Sequence, residues 1–172
     1  MMSLSSSPNP RQDDRKILQF VGFRLEDTDY AVAITRVREI IVMRPITRVP
    51  QVPPYIEGLI NLRGSVIPIV NLRTRLGLPG REFDEETRMI VATLDDRTMG
   101  LIVDAVTEIV RIAADQIQPA PIAVATIDRR HLAGVARWGE RLLVLLDLDH
   151  LLEGDDPNPN SLLRPSSTVA DS

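Results

Sequence analysis

The chain has 172 residues, with 20 basic against 24 acidic side chains, a formal net charge of -4 and no cysteine. A hydrophobic share of 44% suffices to bury a core, so the chain is globular, and its length allows one domain or two small units sharing a core. The missing cysteines exclude disulfides, thiolate nucleophiles and cysteine-held zinc or iron–sulfur sites, while six aromatics and a weak negative charge argue against nucleic-acid binding.

Residues 1–15 are rich in Ser, Pro and Asn and hold no apolar stretch of signal-peptide type, so a flexible tail is expected there. Residues 17–25 carry Ile17, Phe20, Val21, Phe23 and Leu25 and read as a strand that turns at Glu26-Asp27-Thr28-Asp29 and returns over 30–34. Residues 37–42 form a β-branched strand. Pro45, Pro50, Pro53 and Pro54 then forbid a regular helix. Strands over 56–62 and 66–70 flank Arg63-Gly64-Ser65, a tight hairpin, and Asn71 is placed to cap a short helix over 72–76 that stops at Gly77. The longest apolar runs, such as 142–146, are too short to span a bilayer, so a cytoplasmic location without membrane insertion is expected. Residues 154–172 form a second polar tail.

The body, residues 16–153, repeats its plan. An offset of 69 places Phe20 on Met89, Leu25 on Leu94, Asp27 on Asp96, Val37 on Val106, and Glu39-Ile40 on Glu108-Ile109. After seven extra residues an offset of 76 places Gly58 on Gly134, Val66-Ile67 on Leu142-Leu143, and Asn71-Leu72 on Asp147-Leu148. Two similar β-subdomains, about 16–80 and 87–153, follow. The short, closely spaced strands point to barrels or sandwiches.

Catalytic chemistry is hard to find. No phosphate-binding glycine loop, HExxH or Gly-x-Ser-x-Gly elbow is present. His131 reads as a surface or edge residue, and His150 as a solvent-facing residue in the first turn after the cap Asp147. Asp147, Asp149 and His150 are therefore weak candidates for a metal or a cryptic enzyme. Asp27, Asp29, Asp95 and Asp96 are turn formers before they are a carboxylate pair, and Asp84-Glu85-Glu86 reads as a solvated linker. No cofactor and no metal is expected. What remains is a binding module. Its sharpest signal is Gly58-Leu59-Ile60-Asn61-Leu62-Arg63-Gly64, where Gly64 suits a positive φ and exposes Arg63 at a hairpin tip. If Glu39, in the strand over 37–42, comes close to Arg63, a charge-assisted pair would orient the arginine.

Several motifs in this order, Val37-Arg38-Glu39-Ile40, Gly58 to Gly64, Val66-Ile67-Pro68-Ile69-Val70-Asn71-Leu72, Gly100-Leu101-Ile102-Val103-Asp104 and Leu145-Leu146-Asp147-Leu148, resemble the CheW family of chemotaxis coupling proteins. The resemblance covers roughly residues 16–153. It implies a mainly β fold of two five-stranded β-barrels around a shared centre, with short helices and disordered tails. It also implies a non-enzymatic adaptor between the cytoplasmic tip of transmembrane chemoreceptors and the regulatory domain of the histidine kinase CheA, recruited to receptor arrays. By matching positions Val37, Glu39, Gly58, Arg63 and Gly64 fall in or beside the partner-contact region, with Ile40, Met43 and Asn61 added to them. The exposed apolar residues of 37–43 and the following loop are expected at the kinase-facing edge. With the sequence ending soon after the module, a stand-alone adaptor is expected. An adaptor of a non-flagellar pathway shares these motifs, and a small-barrel nucleic-acid binder is the alternative from another class.

Overall fold

The computed structural model describes residues 16–120 and 129–152, so the expected tails lie outside the described residues. The first half folds as β1 (Ile17–Leu25), β2 (Thr28–Ala33), β3 (Val37–Val42), β4 (Ile56–Leu62), β5 (Ser65–Asn71) and helix α1 (Leu72–Arg75). The second half repeats the series as β6 (Arg88–Leu94), β7 (Arg97–Val103), β8 (Ala105–Ala113), β9 (Leu132–Trp138), β10 (Arg141–Leu146) and helix α2 (Leu148–Leu151). Both helices start as the sequence dictates. The Asn71 side chain accepts the amides of Arg73 and Thr74, and the Asp147 side chain accepts that of His150.

The strands form two five-stranded sheets, ordered β8-β1-β2-β10-β9 and β3-β6-β7-β5-β4. Adding five to each strand number, or subtracting it, turns one order into the other. The expected subdomains at about 16–80 and 87–153 are thus repeats in sequence but not the two sheets: each half gives its first hairpin to the sheet of the other. Each hairpin is held on both sides, by antiparallel pairing of β1 with β8 and of β6 with β3, and by parallel pairing of β2 with β10 (Asp29 opposite Leu143) and of β7 with β5 (Gly100 opposite Ile69). Burial shows why the hairpins travel. Met89 and Val91 of β6 lie in one core and Ile90 and Ala92 in another, so the hairpin is apolar on both faces and belongs inside a sheet. The edge strand β3, in contrast, alternates buried and exposed residues.

Three apolar clusters result. The largest joins Phe23, Leu25, Tyr30 and Val144 from the first sheet to Ile90, Leu94, Met99 and Leu101 from the second, with Leu72 and Leu151 from the helices. A second cluster fills the concave side of the second sheet (Ile41, Ile60, Ile67, Ile69, Met89), and a third that of the first (Val110, Ala136, Leu143, Leu145, Phe20). Those two lists match residue for residue under the offsets of 69 and 76.

The expected barrels are open sheets. Their edge strands share no ladder, and the segment leaving one edge bridges the other once in each sheet, between Thr47 and Leu59 and between Gln118 and Val135. Each bridge carries two backbone hydrogen bonds of 2.8–2.9 Å. The repeated glycines serve this closure. Gly58 and Gly134 both have φ of 151°, and a Cβ there would stand 2.2 Å from the Thr47 carbonyl oxygen and 2.7 Å from that of Gln118. Only glycine lets the backbones approach so closely.

An ion network ties the halves at the junction. The buried Arg73 of α1 donates from Nε and Nη2 to both oxygens of Asp104, at 2.8 and 2.7 Å, and from Nη1 to Glu26 at 2.8 Å and the Pro79 carbonyl at 2.6 Å. Asp104 also accepts the Glu26 amide and an Arg81 nitrogen. Burial pushes the Asp104 carboxyl upward, but the hydrogen bonds from Arg73 and the Glu26 amide outweigh it and hold the carboxyl below its ordinary range. At the matching end of the molecule Asp149 of α2 pairs with Arg36, just before β3, at 2.8 Å. Asp149 takes the position of Arg73, but Arg36 lies one place on from Thr35, the match of Asp104, so this pair is not the exact repeat of the first.

Two residues depart from expectation. Asp29 is buried and holds Arg141 across the β2–β10 pairing at 2.6 Å, so it is more than a turn former. His131 is buried rather than at the surface, because the chain entering β9 is packed under α2 and its carbonyl accepts the Asp147 amide.

A candidate partner-binding site on the second sheet

The hairpin between β4 and β5 pairs Leu62 with Ser65, so its loop is only Arg63-Gly64. Both residues have positive φ, 52° and 88°, as a two-residue turn that follows strand twist demands. Gly64 meets that demand without strain, whereas Arg63 occupies a region that non-glycine residues seldom enter. The Asn61 side chain holds the turn by accepting the Gly64 amide at 2.8 Å. In the second half the position of Arg63 is taken by Gly139, the ordinary choice. Arg63 shares this conformation with Glu26 and Asp95, the first residues of the β1–β2 and β6–β7 turns, so the backbone alone does not set this turn apart; its side chain does.

The turn carries the guanidinium to β3. Arg63 Nη1 and Nη2 donate to the two carboxylate oxygens of Glu39, both at 2.6 Å, a bidentate fork that fixes both side chains. Because β3 and β4 are the opposite edges of the sheet, the pair spans its open seam. Arg63 hydrogen bonds hold the Glu39 carboxyl below its ordinary range against the opposing effect of desolvation, with the charges of Arg63, Arg38 and Arg44 adding to the field. The pair lies at the surface, with Arg63 64% and Glu39 29% exposed, so it orients groups more than it stabilises the fold.

The other expected residues divide. Along β3 Glu39 and Ile41 face the concave side, while Arg38, Ile40 and Val42 are exposed on the other face. Ile40 is 41% and Val42 60% exposed, and the sequence reading did not single out Val42. Val37 is half-buried against the central core and Met43 against the second-sheet core, so both shape the surface from beneath. Gly58 acts through the closing bridge. The structure therefore brings together Glu39, Asn61, Arg63 and Gly64, with Ile40 on the adjacent outer face. The weak metal candidates are accounted for locally: Asp147 caps α2 and holds His150 Nδ1 at 2.7 Å, and Asp149 holds Arg36. Among the described residues no group of three His, Asp or Glu could hold a metal ion.

A family profile described as the CheW-like domain matches residues 19–156. The chain belongs to the CheW-like family. It is 36% identical over 138 residues to the chemotaxis protein CheW of Klebsiella aerogenes, covering 80% of this chain and 83% of the relative. It is 34% identical over 152 residues to that of Helicobacter pylori, covering 88% and 91%. The crystal structure of the scaffolding protein TtCheW from Thermoanaerobacter tengcongensis superposes with a TM-score of 0.76 at 34% identity, over 83% of this chain and 92% of that one. This chain is a non-enzymatic chemotaxis adaptor that couples receptors to the kinase CheA. The nucleic-acid and non-flagellar readings are not favoured. Among the described residues no helix is long and apolar enough to cross a membrane.

Proposed function

We propose that this adaptor meets its partners through the surface built on Glu39, Arg63 and the outer face of β3. The regulatory domain of CheA docks on the exposed apolar residues of β3, led by Ile40. The receptor's cytoplasmic tip engages the neighbouring region around the Arg63-Gly64 turn, from the cytoplasmic side of a receptor array. One observation carries the reading: a two-residue turn holds Arg63 in a bidentate pair with Glu39 on an edge strand whose other face exposes Ile40 and Val42. Apolar burial on Ile40 supplies affinity, and the fixed Arg63–Glu39 fork supplies register. Val37, Met43, Gly58, Asn61 and Gly64 act by holding that surface in shape. Modest contacts suffice, because an array multiplies them.

The test is a pull-down of receptor cytoplasmic fragment and CheA regulatory domain by wild type and Arg63→Glu. The reversal places two carboxylates at the seam and is expected to weaken capture of at least one partner while the far-UV circular dichroism stays unchanged. A folded Arg63→Glu variant that captures both partners like wild type would refute the site.

A further inference from the structure

The charges around β3 do not balance. Glu39 is the carboxylate among three arginines, Arg38, Arg44 and Arg63, and both of its oxygens are already taken by Arg63. Arg38 reaches only the Thr98 hydroxyl, at 3.4 Å, and the buried Nε of Arg44 finds no acceptor among the described residues. Neither has an ion-pair partner there. Arg38 thus shares the exposed face of β3 with Ile40 and Val42, and Arg44 follows just beyond the end of the strand, in a chain whose net charge is -4.

The repeat supplies a control within the same molecule. Ile109 of β8 occupies the position of Ile40 and is 56% exposed; Leu142 of β10 occupies that of Val66 and is 63% exposed. These two apolar features are kept, but Val42 and the charges are not. Arg38, Arg44 and Arg63 are replaced by Thr107, Ala113 and Gly139. Glu108 keeps the place of Glu39, Arg111 stands for Val42, and Glu140 for Gly64. The β3 face carries two net positive charges and its counterpart one net negative. Arginine is abundant in this chain, yet its distribution between equivalent positions is uneven, and composition cannot explain that.

We infer that the β3 face selects a protein surface whose apolar centre is bordered by carboxylates, with Arg38 and Arg44 as the residues that set this preference. The inference rests on the docking role proposed above and adds the chemistry of the partner. Partner carboxylates beside Ile40 would complete the two guanidinium groups, steer the encounter, and direct such a partner to this face rather than to its pseudo-equivalent.

The experiment measures association rate and affinity of the CheA regulatory domain for the full chain between low and high salt. It compares wild type, Arg38→Gln/Arg44→Gln, Ile40→Ser/Val42→Ser and, as the opposite-face control, Ile109→Ser, each checked for folding by thermal melting. Exposed ion pairs of this type suggest about a 3- to 20-fold loss of affinity for the double arginine variant at low salt. The loss should lie mostly in the association rate and vanish as salt screens the charges. Loss of binding in the Ile40/Val42 variant with no change in the arginine variant would overturn the charge inference and leave the docking surface standing. A loss in the arginine variant that is equal at every salt concentration would overturn it as well. Binding unaffected by either set would refute the docking surface itself.

Discussion

Replacing Arg73 by leucine tests what joins the two halves. The guanidinium sits with its side chain 5% exposed and donates four hydrogen bonds, three of them to carboxylates, to groups from the β7–β8 connection, the β1–β2 turn and the segment after α1. Truncating one partner of a buried ion pair costs about 3–5 kcal/mol, because the other charge is left without compensation. Here the Asp104 carboxylate, 11% exposed, keeps Arg81 and the Glu26 amide, so roughly 2–4 kcal/mol is the expected loss. In urea, with a slope of about 1–3 kcal/mol per molar, the midpoint should fall by about 1–2 M. Trp138, the single tryptophan, packs against the first-sheet core and reports unfolding there. Asp104→Leu should cost a similar amount. The double leucine variant should cost clearly less than the sum, since no orphaned charge remains. The pH dependence has a definite sign. The Asp104 carboxyl is lowered in the folded state, so its contribution is present above the unfolded value near 3.8 and is lost as pH falls through the folded value. Asp104→Asn should therefore flatten the acid limb of the stability profile. An unchanged urea midpoint for Arg73→Leu at neutral pH, or additive single effects, would refute the reasoning.

The remaining expectations are simpler. Gly58→Ala should lower stability by about 1–3 kcal/mol in urea unfolding, and Gly134→Ala by less, because the Gly58 Cβ would stand closer to a facing carbonyl, 2.2 against 2.7 Å. Equal stability of wild type and both variants would mean that the closing bridges give way freely. Leu145→Ala empties a site 1% exposed in the first-sheet core and should cost about 2–5 kcal/mol while leaving partner capture by the β3 face intact. Carboxyl titration by NMR should find Glu39 below the ordinary glutamate range, and Arg63→Ala should raise it toward that range, since Arg63 is the main cause of the depression. No change on removing Arg63 would show that the fork does not persist in solution.

Local structure was legible to the extent that it is written locally. The strands at 37–42 and 56–62 and both helix caps need only side-chain alternation and one capping residue, and they fold where the pattern puts them. The duplication was legible because turns, glycines and caps recur in order. The exchange of hairpins was not, since apolar β1 and β2 could pair within their own half or with the other, and periodicity is the same in both cases. The open seams escaped for a related reason: closure depends on curvature and on one bridge beyond each edge strand. Glu39 and Arg63 were legible as a pair because each stood out locally, one as a carboxylate in an apolar strand and the other before Gly64. Arg73 and Asp104 had no such signal. They lie far apart in sequence, and an arginine in the first turn of a helix looks solvent-facing until the second half covers it. His131 was misjudged likewise, its burial coming from α2.

The symmetry of the fold makes its asymmetries informative. Cores, bridges, glycines and caps are kept between the halves, as they must be where the same packing is solved twice. Differences in those places would cost stability, so the sequence is free to diverge only at the surface. Much of that divergence falls on two matched strips, one holding Arg38, Glu39, Arg44 and Arg63, the other Thr107, Glu108, Ala113 and Gly139. If these strips only faced water, their apolar members could have drifted with the charges. Ile40 and Ile109, and Val66 and Leu142, stayed large, apolar and exposed. Apolar exposure retained at these two positions while Val42 gives way to Arg111 and the neighbouring charges diverge is the pattern expected if the β3 face has the partner preference inferred above and its counterpart does not share it.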